Sequence, residues 1–204
     1  NPTKVSSYKD INYDNWTSAD RYKWIEYHKW KVSGELYTKV IGDFVIMTRA
    51  QFGYLGYYNR KWGYSPFEGF RVGGDGMSGY DTYGADIIAL RGYENYYLTP
   101  WEATPYNSNG YYAGNVYDKF TMEFRYPVIL QPQSTIFVLG FLEGGNCWSD
   151  IKKFNPFQIK RSAGVGVRVF LPMIGLLGID WGYGFDNPVK KNRSQFHFLI
   201  GQQF

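Results

Sequence analysis

Hydrophobic and polar positions alternate with a period of two along most of the chain, and helical periodicity is hard to find, so the pattern predicts an all-β protein. Between residues 44 and 57, Phe44, Ile46, Ala50, Phe52 and Tyr54 share one face, and Arg49 and Gln51 share the other. Phe120, Met122, Phe124 and Tyr126 likewise oppose Thr121, Glu123 and Arg125. Farther on, Ala163, Val165, Val167 and Val169 oppose Gly164, Gly166 and Arg168, and Leu177, Ile179, Trp181, Tyr183 and Phe185 oppose Gly178, Asp180, Gly182 and Gly184. The stretch 135–145 is apolar on both faces, so Glu143 shares its side with Phe137, Leu139 and Phe141 and its parity is ambiguous. Strands are predicted over 22–40, 44–57, 115–130, 135–145, 159–171, 176–186 and 195–204, about seven in all.

The connections fall into two kinds. Short turns are expected at Ile41-Gly42-Asp43, at Gln131-Pro132-Gln133-Ser134 and from Pro172 to Gly175. By contrast, 58–114 is rich in Gly, Tyr, Asn and Pro and far longer than an ordinary hairpin loop, and residues 1–21 read as a polar loop. Tight turns at one end, long loops at the other, an apolar outer face and a polar inner one are the pattern of an antiparallel transmembrane β-barrel. A soluble sandwich fits the alternation but gives no reason for that asymmetry. Single-chain bacterial barrels have an even number of strands, at least eight, so about seven are expected to be the C-terminal part of one larger barrel domain that takes in the whole of 1–204.

Composition adds exclusions. Aromatics make up 21% of the chain and there are 24 glycines, a bias that suits β structure with tight turns. The net charge of +4 comes from scattered basic residues, which argues against a disordered polyelectrolyte and against a nucleic-acid partner. No apolar run is long enough for a transmembrane helix. One cysteine, Cys147, excludes an internal disulfide framework, and with only His28 and His197 beside it no metal-ligand spacing exists; no metal or cofactor is expected. The chain opens Asn-Pro-Thr-Lys with no apolar leader, so any export signal is expected to lie upstream or to have been removed. Gly74-Asp-Gly76-Met-Ser-Gly79 satisfies a dinucleotide fingerprint only formally, because no βαβ unit surrounds it. An enzyme would need a base, and nothing in the sequence brings His28 or His197 to a nucleophile.

Five motifs in order carry a resemblance. Ala89-Leu90-Arg91-Gly92-Tyr93 stands in the long loop, preceded by Phe67-Glu-Gly-Phe70-Arg-Val-Gly73-Gly74; then come Met122-Glu123-Phe124-Arg125-Tyr126-Pro127, Phe141-Leu142-Glu143-Gly144-Gly145, the hairpin Gly164-Val-Gly166-Val-Arg168 to Pro172-Met-Ile-Gly175, and the closing strand Phe196 to Phe204. This series resembles the barrel of BamA-type outer-membrane assembly factors, in a superfamily that also holds two-partner secretion transporters and chloroplast import channels. An insertion from Asp75 to Ala85 departs from the commonest family pattern.

The resemblance implies a barrel of about sixteen strands in the bacterial outer membrane, with 58–114 an extracellular loop folded back into the lumen. It implies that Arg91, Gly92 and Tyr93 plug the lumen and that Arg91 pairs with Glu123 and Glu143, although from residue types alone Arg91 reads as a solvent-facing guanidinium. Were Arg91 removed, those carboxylates would be left unpaired, and neutralising Glu123 should recover part of the loss. By its own parity Asp180 also faces inward among three glycines, where an ordinary lumen carboxylate is expected ahead of a further polar contact. The terminal strand, through Phe196, Phe198, Ile200, Gly201 and the closing Phe204, would pair weakly with the first strand of the barrel, with Gly201 favouring a bend. The implied function is insertion of other outer-membrane β-proteins without covalent chemistry, so not an enzyme. Its implied partners are unfolded β-barrel clients, accessory lipoproteins, and outer-membrane lipid with lipopolysaccharide. The rivals are a two-partner secretion transporter and a small stand-alone pore or binding barrel.

Overall fold

The computed structural model describes residues 26–58, 63–76, 84–104, 107–131, 134–172, 175–187 and 193–201. The predicted loop 1–21, the start of the first strand at Tyr22, the end of the Gly-rich fingerprint and Phe204 lie outside these residues. The elements are β1 (Tyr27–Ile41), β2 (Phe44–Tyr57), β3 (Phe70–Val72), β4 (Asp86–Ile88), β5 (Trp101–Thr104), β6 (Asn107–Tyr112), β7 (Val116–Gln131), β8 (Ser134–Trp148), a 3-10 turn (Ile151–Lys153), β9 (Lys160–Leu171), β10 (Gly175–Gly184) and β11 (Ser194–Gly201).

Seven of these strands form one sheet in the order β1-β2-β7-β8-β9-β10-β11, every neighbouring pair antiparallel. The seven predicted strands are those seven, with edges shifted by a few residues. β8 runs on past its predicted end to Trp148, because Asn146, Cys147 and Trp148 still pair with Asp118, Tyr117 and Val116. The sheet is a barrel wall that does not close on itself among the described residues, since β1 and β11 each have one neighbour. No helix among the described residues is long and apolar enough to cross a membrane.

Alternation decides what faces where. Phe120, Met122, Tyr126, Val138, Leu142, Val165, Val167, Ile179, Trp181, Phe196, Phe198 and Ile200 are exposed on the outer face, whereas Thr121, Glu123, Glu143, Arg168, Asp180 and His197 are buried on the inner one. That arrangement is stable only if lipid covers the outer face and something polar fills the inner one.

The segment 58–114 corrects the expectation of a loop without secondary structure. It contains β3 and β4, paired in parallel, β5 and β6, paired antiparallel, and an isolated bridge between Gly74 and Leu90. Among its described residues the longest connection thus pairs part of its own backbone, as a segment packed away from water needs to. Phe70, Val72, Leu90, Tyr93 and Leu98 from this segment pack against Leu55 of β2, Tyr117 of β7 and Cys147 of β8 as one apolar cluster. Cys147 is therefore a small core residue.

Candidate functional site

Below that cluster the segment delivers Leu90-Arg91-Gly92-Tyr93 to the inner face of the wall. Arg91 is only 7% exposed. Its Nη2 donates to Oε1 of Glu123 at 2.6 Å and to Oε1 of Glu143 at 2.8 Å, its Nη1 donates to Oδ2 of Asp180 at 3.1 Å, and its backbone amide donates to Oε2 of Glu143 at 2.8 Å. The guanidinium also lies over the ring of Phe141, 3.7 Å from its centroid. A planar guanidinium can serve several acceptors and an aromatic face at once, which an ammonium cannot.

The residues beside Arg91 are held separately. Gly92 has φ +88°, a conformation that side chains rarely adopt, and a Cβ on Gly182 would come within 2.7 Å of the Gly92 nitrogen. The two glycines therefore let loop and wall meet backbone to backbone. The Gly92 amide donates to Nε2 of His197 at 2.8 Å, and the Tyr93 hydroxyl donates to the Arg161 carbonyl at 2.8 Å.

The phenylalanine positions beside Glu143 now have a reason. Leu139 and Phe141 are buried and on the same face as Glu143, so that face of β8 is inward, and Phe141 is covered by Arg91 of the loop rather than by lipid. Parity could not decide this because a strand apolar on both faces gives no contrast.

Two expectations are corrected here. Asp180 is no ordinary lumen carboxylate: besides Arg91 it receives a two-pronged pair from Arg168, at 2.5 Å and 2.6 Å. Removing Arg91 would also not strip the carboxylates of their last partner. Glu123 keeps Arg125 at 2.8 Å, Glu143 keeps Lys119 at 3.1 Å, and Asp180 keeps Arg168. The site is a network of four cations and three carboxylates.

A model of the Omp85 superfamily domain matches residues 7–204. The chain belongs to the Omp85 superfamily. No curated protein matches it. Omp85 proteins of bacteria are outer-membrane β-barrels, and the open wall with its lipid-compatible outer face fits part of one.

Within this Omp85 domain, sequence reasoning named Arg91, Gly92, Tyr93, Glu123 and Glu143 together, and the structure brings all five to one place. It passed over Lys119, Arg168 and Gly182 as parts of the site. The available signal was the inward parity of opposite charges on neighbouring strands, Lys119 and Glu143 on β7 and β8 and Arg168 and Asp180 on β9 and β10. Phe196, Phe198 and Ile200 stand apart from the site, on the outer face of β11. Gly201 ends the described ladder opposite Leu176 with φ +131°, a backbone conformation that favours glycine.

At the end of the wall from which the long loop leaves, Nε and Nη2 of Arg161 donate to Asp186 at 3.1 Å and 3.0 Å. This fork holds the Asp186 carboxyl below its ordinary value of 3.8. Among the described residues no group of His, Cys, Asp and Glu is placed to hold a metal ion.

Proposed function

We propose that this chain is the C-terminal wall of an outer-membrane assembly factor of the BamA type, which inserts other β-barrel proteins by offering its terminal strand as a template. The observation that supports the reading is the open edge of the wall: among the described residues β11 pairs only with β10 and turns Phe196, Phe198 and Ile200 outward. In lipid an unpaired backbone edge is costly, and a client strand that pairs with it removes the cost by β-augmentation.

On this reading the whole of 1–204 belongs to one barrel domain, with 58–114 as its extracellular loop folded into the lumen. β1 and β11 are the first and last of seven antiparallel strands and run in the same direction, so antiparallel closure takes an odd number of further strands. The Arg91 network fixes the loop as an inner strut while the seam between β11 and the first strand of the barrel opens. The partners are unfolded β-barrel clients, accessory lipoproteins, and the lipid and lipopolysaccharide of a bacterial outer membrane. The chemistry is non-covalent, with no cofactor, so the activity is catalysis of folding rather than enzymatic conversion.

The test is reconstitution of the full-length protein in lipid vesicles with an unfolded β-barrel client. Insertion should be faster than in empty vesicles, and a disulfide from Ile200→Cys to a cysteine in the first barrel strand should abolish the gain until it is reduced. Undiminished insertion by the locked barrel would remove the templating reading. Passage of a soluble client through the locked barrel would instead favour the two-partner secretion reading.

A further inference from the structure

Among the described residues of the terminal strand β11 only His197 is buried, while Phe196, Phe198 and Ile200 point outward. The outer edge of this strand has no neighbour among the described residues. The buried ring meets the loop: Nε2 of His197 accepts the Gly92 amide hydrogen at 2.8 Å.

The loop cannot follow β11 by shifting Gly92 alone. On one side Arg91 is bonded to Glu123, Glu143 and Asp180, and on the other the Tyr93 hydroxyl is bonded to Arg161. Gly92 itself is seated against Gly182. Any inward roll or departure of β11 must therefore break the His197 bond or displace the whole Arg91-Gly92-Tyr93 turn.

We infer that His197 is a positioning residue that couples the terminal strand to the inner loop through the Gly92 amide, so that the two loosen together. The inference rests on the reading of β11 as the strand that opens. It also carries a chemical condition. An Nε2 that accepts a hydrogen bond belongs to a neutral imidazole with its hydrogen on Nδ1, and the imidazolium has no lone pair to offer. Protonation would thus face one N–H with another and uncouple strand from loop. The charged groups around the ring are Asp180 on β10, its register partner, Glu143 on β8, Arg91 and Asp75 on the loop, and Arg168 on β9 behind Asp180.

Amide hydrogen exchange of the full-length protein in lipid nanodiscs tests this, because it reads the loop and β11 separately. His197→Phe should speed exchange about five- to tenfold both at 90–93 and at 195–200, the change expected for loss of one buried hydrogen bond, with β7 and β8 unaffected. His197→Gln keeps an acceptor oxygen and should restore protection in both segments. Acidification from about pH 8 to about pH 5 should loosen both in the unmodified protein and neither in His197→Gln. Should His197→Phe fail to fold, the pH series and His197→Gln still decide. Faster exchange in β11 with an unchanged loop, or an equal pH response in His197→Gln, would overturn the coupling. Coupled exchange with an unaltered rate of client insertion would uphold the coupling and remove the reading of β11 as the working seam.

Discussion

Two sets of ion pairs between the described residues of the long loop and the wall differ in burial, and the difference shows what each fastening can contribute. At the inner place Arg91 is enclosed by Glu123, Glu143 and Asp180, all nearly inaccessible to solvent. At the outer place the buried Asp86 of β4 meets Lys31 of β1 at 2.9 Å and Lys29 at 3.3 Å, and there the cations keep part of their water, the Lys31 side chain being 52% exposed. Charges that leave water lose hydration and recover it only through well-made partners, so losing a member costs most in the inner network; a pair whose cation keeps its water gains less from pairing. The inner fastening is expected to set the position of the loop, and the outer one to trim it.

The sharpest way to break that contrast is to remove Arg91. Arg91→Ala should lower unfolding stability by about 3 kcal/mol, the lower end for a broken buried network, because each carboxylate keeps a second cation. Adding Glu123→Gln should deepen the loss, since Arg125 would then be the stranded group. Denaturant titration in detergent and protease nicking near residues 84–95 measure both changes; partial recovery in the double variant would mean that Arg125 does not hold Glu123 as described.

A second change leaves every charge in place. Gly182→Ala puts a methyl where the Gly92 backbone lies and should push the turn from the wall at a cost of about 1 to 3 kcal/mol, as overpacking does. The same nicking assay should find the inner loop exposed while the outer anchor at Asp86 holds. Protection equal to that of the unmodified protein would show that the loop is not seated on β10.

The outer anchor should matter less. Asp86→Asn should cost about 1 kcal/mol and increase nicking around 84–88 without reaching Arg91. A loss as large as that of Arg91→Ala would erase the distinction between the two fastenings.

The smallest effect is expected at the rim. Asp186 is held below its ordinary carboxyl value by the Arg161 fork. A depressed value in the folded state means that the contribution is whole above 3.8, the ordinary value, and fades as the pH falls through the lower, folded one. Asp186→Asn should therefore leave stability nearly unchanged, flatten only the acid limb below that value, and be further muted by salt.

What was legible in the sequence follows from period and order. Alternation alone determined seven strands and, for all but the stretch 135–145 that is apolar on both faces, which residues line the lumen and which face lipid, because a strand has only two faces. The order of the Leu90-Arg91-Gly92, Glu123 and Glu143 motifs determined the partners of Arg91 by resemblance, without their distances. Only the tertiary structure decided the rest. The strands within 58–114 pair with one another, but the segment is seated by apolar packing against Leu55, Tyr117 and Cys147 of β2, β7 and β8, and no local pattern announces contacts with a distant wall. Asp180 gained its role from Arg168 two strand positions away and from a loop some ninety residues upstream. His197 gained its role the same way: its ring nitrogen meets a backbone amide, and a backbone amide has no signature in the sequence.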